Sequence, residues 1–138
     1  MATIQVEVEI NASIEKVWDI VSDIDNEPKF WKVTKEVRNI SKDGNTINRE
    51  ITIAFRDQKC LQEVKIYPKE KIEARFTKGI ISGEKTISLI PKEGKTILYA
   101  LWDIKLTGMM GMFTGMIKKH IKSGTEQAMQ SIKEEIER

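Results

Sequence analysis

The segment spanning residues 109–137 restricts the fold more than any other part of the chain. Its apolar side chains recur at spacings of four and seven residues, with lysines and glutamates on the opposite side. This pattern predicts one amphipathic helix, on the order of 40 Å long. An apolar face of that length needs a broad surface to cover it, and the upstream chain must supply that surface as a sheet. The apolar stripe consists of Phe113, Ile117, Ile121, Ala128, Ile132 and Ile136.

The N-terminal part of the chain predicts one strand followed by two short helices. Apolar and polar residues alternate over residues 4–10, as in a half-buried strand. Asn11 or Ser13 is suited to cap a helix of about three turns that ends near residues 22–23. A second helical turn is expected at residues 29–32. Because these helices separate the first strand from the others, we expect that strand at an edge of the sheet.

Six extended segments follow, separated by short polar turns. Connections this short cannot carry a crossover, so the segments must form a meander of neighbouring antiparallel strands. The last of them has one fully apolar face and is expected in the centre of the sheet or under the final helix. The expected strands are residues 33–41, 46–55, 59–67, 71–77, 84–90 and 95–106.

Length, charge and cysteine content exclude several classes of function. A chain of 138 residues has the size of one domain, and a single domain over residues 1–138 is expected. The net charge of +2 is too small for a nucleic-acid interface. The lone Cys60 permits no internal disulfide and no multi-cysteine zinc site, and we expect neither a metal nor another cofactor. Because the sequence shows no signal peptide and no apolar run of ~20 residues, we expect no integral membrane segment and a cytoplasmic location.

The order of these elements and three local motifs resemble a known superfamily. Residues 10–23, with a small-residue turn before a helix that carries Val17-Trp18 and ends at an aspartate, resemble the opening of the SRPBCC superfamily. Trp31 stands where this superfamily often has a tryptophan, and Gly94-Lys95-Thr96 resembles its Gly-x-Thr turn before the last strand. START domains, birch-pollen-allergen-like proteins and polyketide cyclases are members. The resemblance implies an α+β helix-grip fold, in which a curved antiparallel seven-stranded sheet (β-α-α-β6-α) wraps around the C-terminal helix.

The resemblance also implies an apolar cavity between the sheet and the final helix, entered near residues 107–116. Four methionines and three glycines in that segment suit an adaptable lid over an apolar ligand. The alternative is that these methionines fill an irregular edge of the core. The residues expected to line the cavity are Arg49, Ile51, Ile53, Tyr67, Trp102, Met109, Met112, Phe113, Met116, Ile117, His120 and Gly124.

Arg49 is the polar residue with the clearest relation to this cavity. It shares a strand face with Ile51 and Ile53, so its guanidinium is expected to point inward with them. A buried cation needs a partner. Either Arg49 binds a carboxylate, phosphate or enolate of the ligand, or it forms a structural salt bridge or extends its stem to water.

Other candidates also have two interpretations each. Gly124 interrupts the apolar stripe and leaves room either for a ligand or for a bulky neighbour such as Trp102. His120, the single histidine, lies on the flank of the stripe and is either a ligand contact or a half-exposed helix residue. Tyr67 and Trp102 have polar ends that suit a ligand, although sheet packing explains both.

Three classes of function remain open. The favoured one is binding of a hydrophobic small molecule or lipid, for transport or sequestration. The second is a polyketide-cyclase or dehydratase-like enzyme, against which the lack of an evident acid/base pair counts. The third is a homodimer or a partner-binding module that uses the outer sheet face, where Ile97, Tyr99 and Leu101 lie.

Overall fold

A computed structural model describes residues 2–138, apart from the side chains of Met109 and Met110. The helices are α1 (Ile14–Val21), α2 (Glu27–Phe30) and α3 (Thr114–Glu137), and 3-10 turns occupy Ile24–Asn26 and Gly108–Phe113. The strands are β1 (Ala2–Ile10), β2 (Thr34–Asp43), β3 (Thr46–Ile53), β4 (Lys59–Tyr67), β5 (Lys71–Lys78), β6 (Ile81–Lys92) and β7 (Lys95–Leu106).

The seven strands form one antiparallel sheet in the order β1-β7-β6-β5-β4-β3-β2. Each strand from β2 to β7 therefore pairs with its neighbour along the chain, and β1 joins the edge beside β7. The predicted α+β helix-grip fold is confirmed, including the meander and the edge position of the first strand. Trp102 of β7 lies between Ile4 of β1 and Lys85 of β6 in this register.

Strand β7 carries the centre of the core. Its inward side chains are all buried, because every second residue of a strand points to the same face. The buried residues are Thr96, Leu98, Ala100, Trp102, Ile104 and Leu106.

Several predicted strand limits are wrong, and two of them have a clear backbone cause. Strand β3 ends at Ile53 rather than at residue 55, because Arg56 and Asp57 adopt left-handed φ angles of 54° and 51°. Strand β6 begins at Ile81 rather than at residue 84. Gly83, with φ of 111°, permits this extension, since a Cβ at that position would collide with the Asp103 carbonyl oxygen of β7.

The predicted start of the final helix is also wrong. Residues Gly108–Phe113 form a 3-10 turn, and α3 begins only at Thr114. Gly108 has a left-handed φ of 62°, and Thr114 Oγ1 donates a hydrogen bond to the Gly111 carbonyl oxygen at 2.7 Å. Beyond this point the predicted stripe is buried, with Thr125 and Met129 in addition. The buried residues of α3 are Ile117, Ile121, Thr125, Ala128, Met129, Ile132 and Ile136.

The two ends of α3 are attached differently. At the C-terminal end, Lys133 Nζ donates to the Glu9 carbonyl oxygen of β1 at 2.7 Å, and Glu137 Oε2 accepts from the Asn11 amide at 2.8 Å. At the other end the N-cap residue is Phe113, whose side chain cannot accept a hydrogen bond from the helix amides. The side chains of Lys133 and Glu137 therefore attach the C-terminal end of α3 to the end of β1 and the residue that follows it.

Candidate functional site

Two cavities lie between the sheet and the helices. The first, here called the charged cavity, has a volume of about 40 Å³ and lies beneath α1 and α2. The second, here called the apolar cleft, has a volume of about 260 Å³ and lies beside the first turns of α3.

The charged cavity combines ionised side chains with apolar walls. Arg49 of β3, Lys85 of β6 and Glu27 of α2 border it, and Asp23 stands at its exposed rim. Its apolar walls are formed by Ile20, Val21, Ile24, Phe30, Trp31, Ile72, Ala74, Ile87 and Ile132.

Arg49 is 2% exposed and directs its donors at protein acceptors. Its Nη2 donates to Glu27 Oε1 at 2.6 Å and its Nε to Gln62 Oε1 at 2.9 Å. Its Nη1 donates to the Ile24 carbonyl oxygen at 3.2 Å. Of the two interpretations of Arg49, the structure contains the salt bridge. The guanidinium joins α2 and the preceding turn to strands β3 and β4.

Glu27 contacts side chains from three strands, Arg49 of β3, Thr34 of β2 and Lys85 of β6. Its Oε2 accepts from Thr34 Oγ1 of β2 at 2.7 Å and lies 3.7 Å from Lys85 Nζ. Burial by itself raises the pKa of this carboxyl, but the charges of Lys85 and Arg49 and the hydrogen bonds from Arg49 and Thr34 outweigh it. The pKa of Glu27 falls from 4.5 to about 2. Glu27 is therefore ionised throughout the neutral range.

Lys85 is a buried lysine held between aromatic rings. Its Nζ lies 3.4 Å from the ring centroid of Trp31 and 4.9 Å from that of Trp102, which are cation–π distances. Burial lowers the pKa of Lys85 from 10.5 to about 8, although the neighbouring Glu27 acts to raise it. At pH 7 the ammonium is mostly protonated and lies in an environment with few acceptors.

The apolar cleft is of a different kind. Three predicted lining residues, Ile53, Ile117 and His120, border it, and His120 is exposed. Every other wall residue is apolar. The full lining consists of Val33, Ile53, Ala54, Phe55, Ile81, Ile117, His120 and Ile121.

Four other predicted site residues lie close to these cavities or in the core between them. Ile51 and Trp102 are buried in the core, and Phe113 is half-buried against it. A Cβ at Gly124 would lie 3.1 Å from Val33 Cγ2, so it is Val33, a wall residue of the apolar cleft, that occupies the space beside this glycine.

The remaining predicted site residues are at the surface or outside the described residues. Met112 and Met116 are 78% and 52% exposed, beside the start of α3. Tyr67 ends β4, with Lys71 Nζ 4.9 Å from its ring centroid, and borders neither the charged cavity nor the apolar cleft. The side chain of Met109 lies outside the described residues.

Sequence reasoning missed Glu27 and Lys85. A signal for Lys85 was present, because it shares the inward alternation of β6 with Ile87 and Leu89. For Glu27 we find no such signal. It follows a turn and precedes Pro28, and only the folded chain brings it to Arg49.

Within the described residues, no group of three or more His, Cys, Asp or Glu side chains is arranged to hold a metal ion. A search of that same part of the chain finds no helix with the length and apolar character needed to cross a membrane.

Comparisons with solved structures agree with this architecture. A protein from Thermus thermophilus superposes with a TM-score of 0.83 at 15% identity, covering 98% of this chain and 97% of that one. An aromatase/cyclase from a Streptomyces species gives 0.80 at 12% identity, over 99% and 94% of the two chains. A START superfamily protein from Mycobacterium smegmatis gives 0.76 at 20% identity, over 98% and 97%. At such identities the likeness shows the fold alone.

Sequence comparison places the chain in a family. None of the curated protein sequences matches it significantly. The family model described as polyketide cyclase / dehydrase and lipid transport matches residues 1–137. The chain belongs to this family.

Proposed function

We propose that this protein binds an apolar small molecule or lipid in the apolar cleft, for transport or sequestration. The observation that carries the proposal is the cleft itself, about 260 Å³ between sheet and α3, with His120 as its one polar wall residue. Apolar, concave and partly enclosed space is the usual setting of small-molecule sites, and this cleft lies just below their usual range of about 300–1,000 Å³. The family description, which includes lipid transport, supports the same function.

A cyclase-like enzyme has less support. The Streptomyces neighbour is an aromatase/cyclase, but at 12% identity it shows only the fold. His120 is the one titratable side chain among the residues that line the cleft, and it is exposed to solvent. General acid/base catalysis on an apolar substrate needs positioned proton donors and acceptors, which this lining does not provide.

Alkanol binding tests the proposal. Each ligand CH₂ that enters the cleft should add about 0.8 kcal/mol, which strengthens binding roughly fourfold per carbon until the cleft is full. We expect calorimetry with hexanol, octanol and decanol to show this increase. An affinity that does not depend on chain length would argue against an enclosed apolar site.

Filling the cleft provides the matched test. Ala54 is an exposed wall residue, so Ala54→Trp should occupy the cleft without disturbing the core, and we expect decanol binding at least tenfold weaker. The control is Ile40→Trp, on β2 and 52% exposed, which borders neither cavity and should leave the affinity unchanged. If decanol binds Ala54→Trp and wild type equally, its site is elsewhere and the proposed function is wrong.

A further inference from the structure

We propose that the charged cavity binds the carboxylate group of a monocarboxylic acid, with the Lys85 ammonium as its ion-pair partner. This second site is separate from the apolar cleft and does not rest on the function proposed for the cleft.

The first argument is the balance of buried charge. Arg49 and Lys85 are 2% and 6% exposed, and the one ionised acid among them is Glu27. The other titratable group that borders the cavity, Asp23, is exposed and accepts a hydrogen bond from Asn26 Nδ2 at 2.6 Å. The buried group thus carries one uncompensated positive charge. Because an unpaired buried charge is costly, a single negative charge is what this cavity lacks.

The second argument identifies which cation is available. Arg49 directs Nε, Nη1 and Nη2 at acceptors of the protein, between 2.6 and 3.2 Å away. Lys85 Nζ has three N–H donors, and its nearest carboxylate oxygen, Glu27 Oε2, is 3.7 Å away, which is longer than a hydrogen bond. The two indole faces attract its charge but accept no conventional hydrogen bond. Each nitrogen of Arg49 thus has an acceptor in the protein, whereas the Lys85 ammonium has none within hydrogen-bond distance among the described residues.

A further donor close to Lys85 is also unused. Trp102 Nε1 is buried, and among the described residues it has no hydrogen-bond partner. Its ring centroid lies 4.9 Å from Lys85 Nζ. Trp102 does not border the charged cavity, so Lys85, which does, is the donor that a ligand in the cavity would meet.

The third argument is size and surroundings. The cavity of about 40 Å³ is small, although larger than the ~10–15 Å³ that one buried water needs. A space of this size favours a small anionic group over a bulky one. Ile72, Ala74, Ile87 and Ile132 form apolar walls around this space. Because the space is small, only the acid group fits inside it, and the aliphatic chain of a longer acid would extend past these walls toward the exposed rim at Asp23.

Two kinds of acid present this chemistry, a short free acid and the acid end of a longer chain. Calorimetry with sodium butyrate and sodium octanoate at pH 7 distinguishes them. If butyrate and octanoate bind with equal affinity, a short acid is sufficient as the ligand. If octanoate binds more tightly, the ligand is a longer aliphatic acid. In both cases the proposal requires that binding depends on Lys85. If neither butyrate nor octanoate binds, the proposal is overturned.

The decisive variant is Lys85→Met, which keeps an unbranched side chain and removes the charge. We expect the carboxylate to bind at least tenfold more weakly to Lys85→Met, with 1-octanol as the neutral control unaffected. Equal carboxylate binding by Lys85→Met and wild type would overturn the proposal. Ala54→Trp separates the two sites, because it should weaken 1-octanol and leave the carboxylate unchanged. If Ala54→Trp abolishes carboxylate binding and Lys85→Met does not, the acid binds in the apolar cleft and the proposal is wrong.

A measurement on the wild-type protein removes any dependence on how Lys85→Met folds. An anion beside Lys85 favours its charged form, so saturating octanoate should raise the pKa of Lys85 above its value of about 8. The ¹³Cε resonance of Lys85, followed from pH 6 to 11, reports this pKa directly. Glu27 and Arg49 face the same ammonium, and the low pKa of Glu27, about 2, keeps its charge constant over that range. A Lys85 titration that octanoate does not change would overturn the proposal.

Discussion

The charged cavity and the apolar cleft lie under the same helical layer but are filled in different ways. In the charged cavity, ion pairs of the protein itself occupy the space and leave about 40 Å³. In the apolar cleft, side chains leave about 260 Å³ open. Buried charges must be paired, whereas an apolar wall loses only weak dispersion contacts when the space beside it is empty. Substitutions at the charged cavity should therefore change stability most, and substitutions at the cleft should change ligand affinity most.

Loss of the Arg49 guanidinium should have the largest effect. In Arg49→Leu, Glu27 would keep only its long contact with Lys85 and its bond from Thr34, and Gln62 would lose its donor. We expect the free energy of unfolding to fall by about 3–5 kcal/mol, as when one partner of a buried ion pair is removed. Urea unfolding at pH 7 measures this loss.

Arg38→Leu is the matched control for Arg49→Leu. Arg38 pairs with Glu50 at 3.4 Å, but its side chain is 66% exposed. The expected loss is below about 1 kcal/mol. If both leucine variants lose similarly little stability, the buried pair is not what holds α2 to the sheet.

Acid should weaken the same centre through Glu27. The pKa of Glu27 is about 2 in the folded protein and 4.5 ordinarily, so its stabilising contribution is complete above pH 4.5 and is lost as the pH falls toward 2. A shift of this size corresponds to about 3 kcal/mol. We expect the stability difference between wild type and Glu27→Gln to shrink over that interval. A difference that stays constant from pH 6 to 2 would assign the acid sensitivity to other carboxylates.

The smallest change in stability is expected beside the cleft. Met112 and Met116 are 78% and 52% exposed, so Met112→Ser and Met116→Ser should each change the free energy of unfolding by less than about 0.5 kcal/mol. If these side chains close over a ligand, decanol affinity should nevertheless fall roughly threefold to tenfold, by the loss of about one buried CH₂ or more. Unchanged affinity in the double variant would show that the methionines do not cover the ligand.

The same contrast explains which parts of the molecule are predictable from sequence. The limits of β7 follow from its alternation alone, because one face is buried and the other is partly open to solvent along its whole length. The start of α3 does not follow, since Gly108 and Gly111 permit a 3-10 turn where the apolar period continues. Local pattern decides the first case, and backbone freedom decides the second.

The candidate sites are less predictable than the fold. The inward direction of Arg49 follows from its strand face. Its partner Glu27, however, is 22 residues away in sequence and begins the four-residue helix α2, which is too short to show a periodic pattern. Wall residues of the cleft such as Ala54 come from a bend after β3, and their position depends on where that strand ends. Both sites depend on contacts between distant segments, which no local pattern encodes.

The one-sided attachment of α3 has a consequence for how a ligand enters. Bonds from Lys133, Asn11 and Glu137 hold the C-terminal turns against β1, while the turns that carry Ile117 and Ile121 begin at an N-cap without a side-chain acceptor. Amide protons in these first turns should exchange with solvent through local fraying, and those near Ile132 only through opening of the whole domain. Under the proposed function, the start of α3 would be the part of the cleft wall that opens first for a ligand, against the packing of Ile117 and Ile121 in the core.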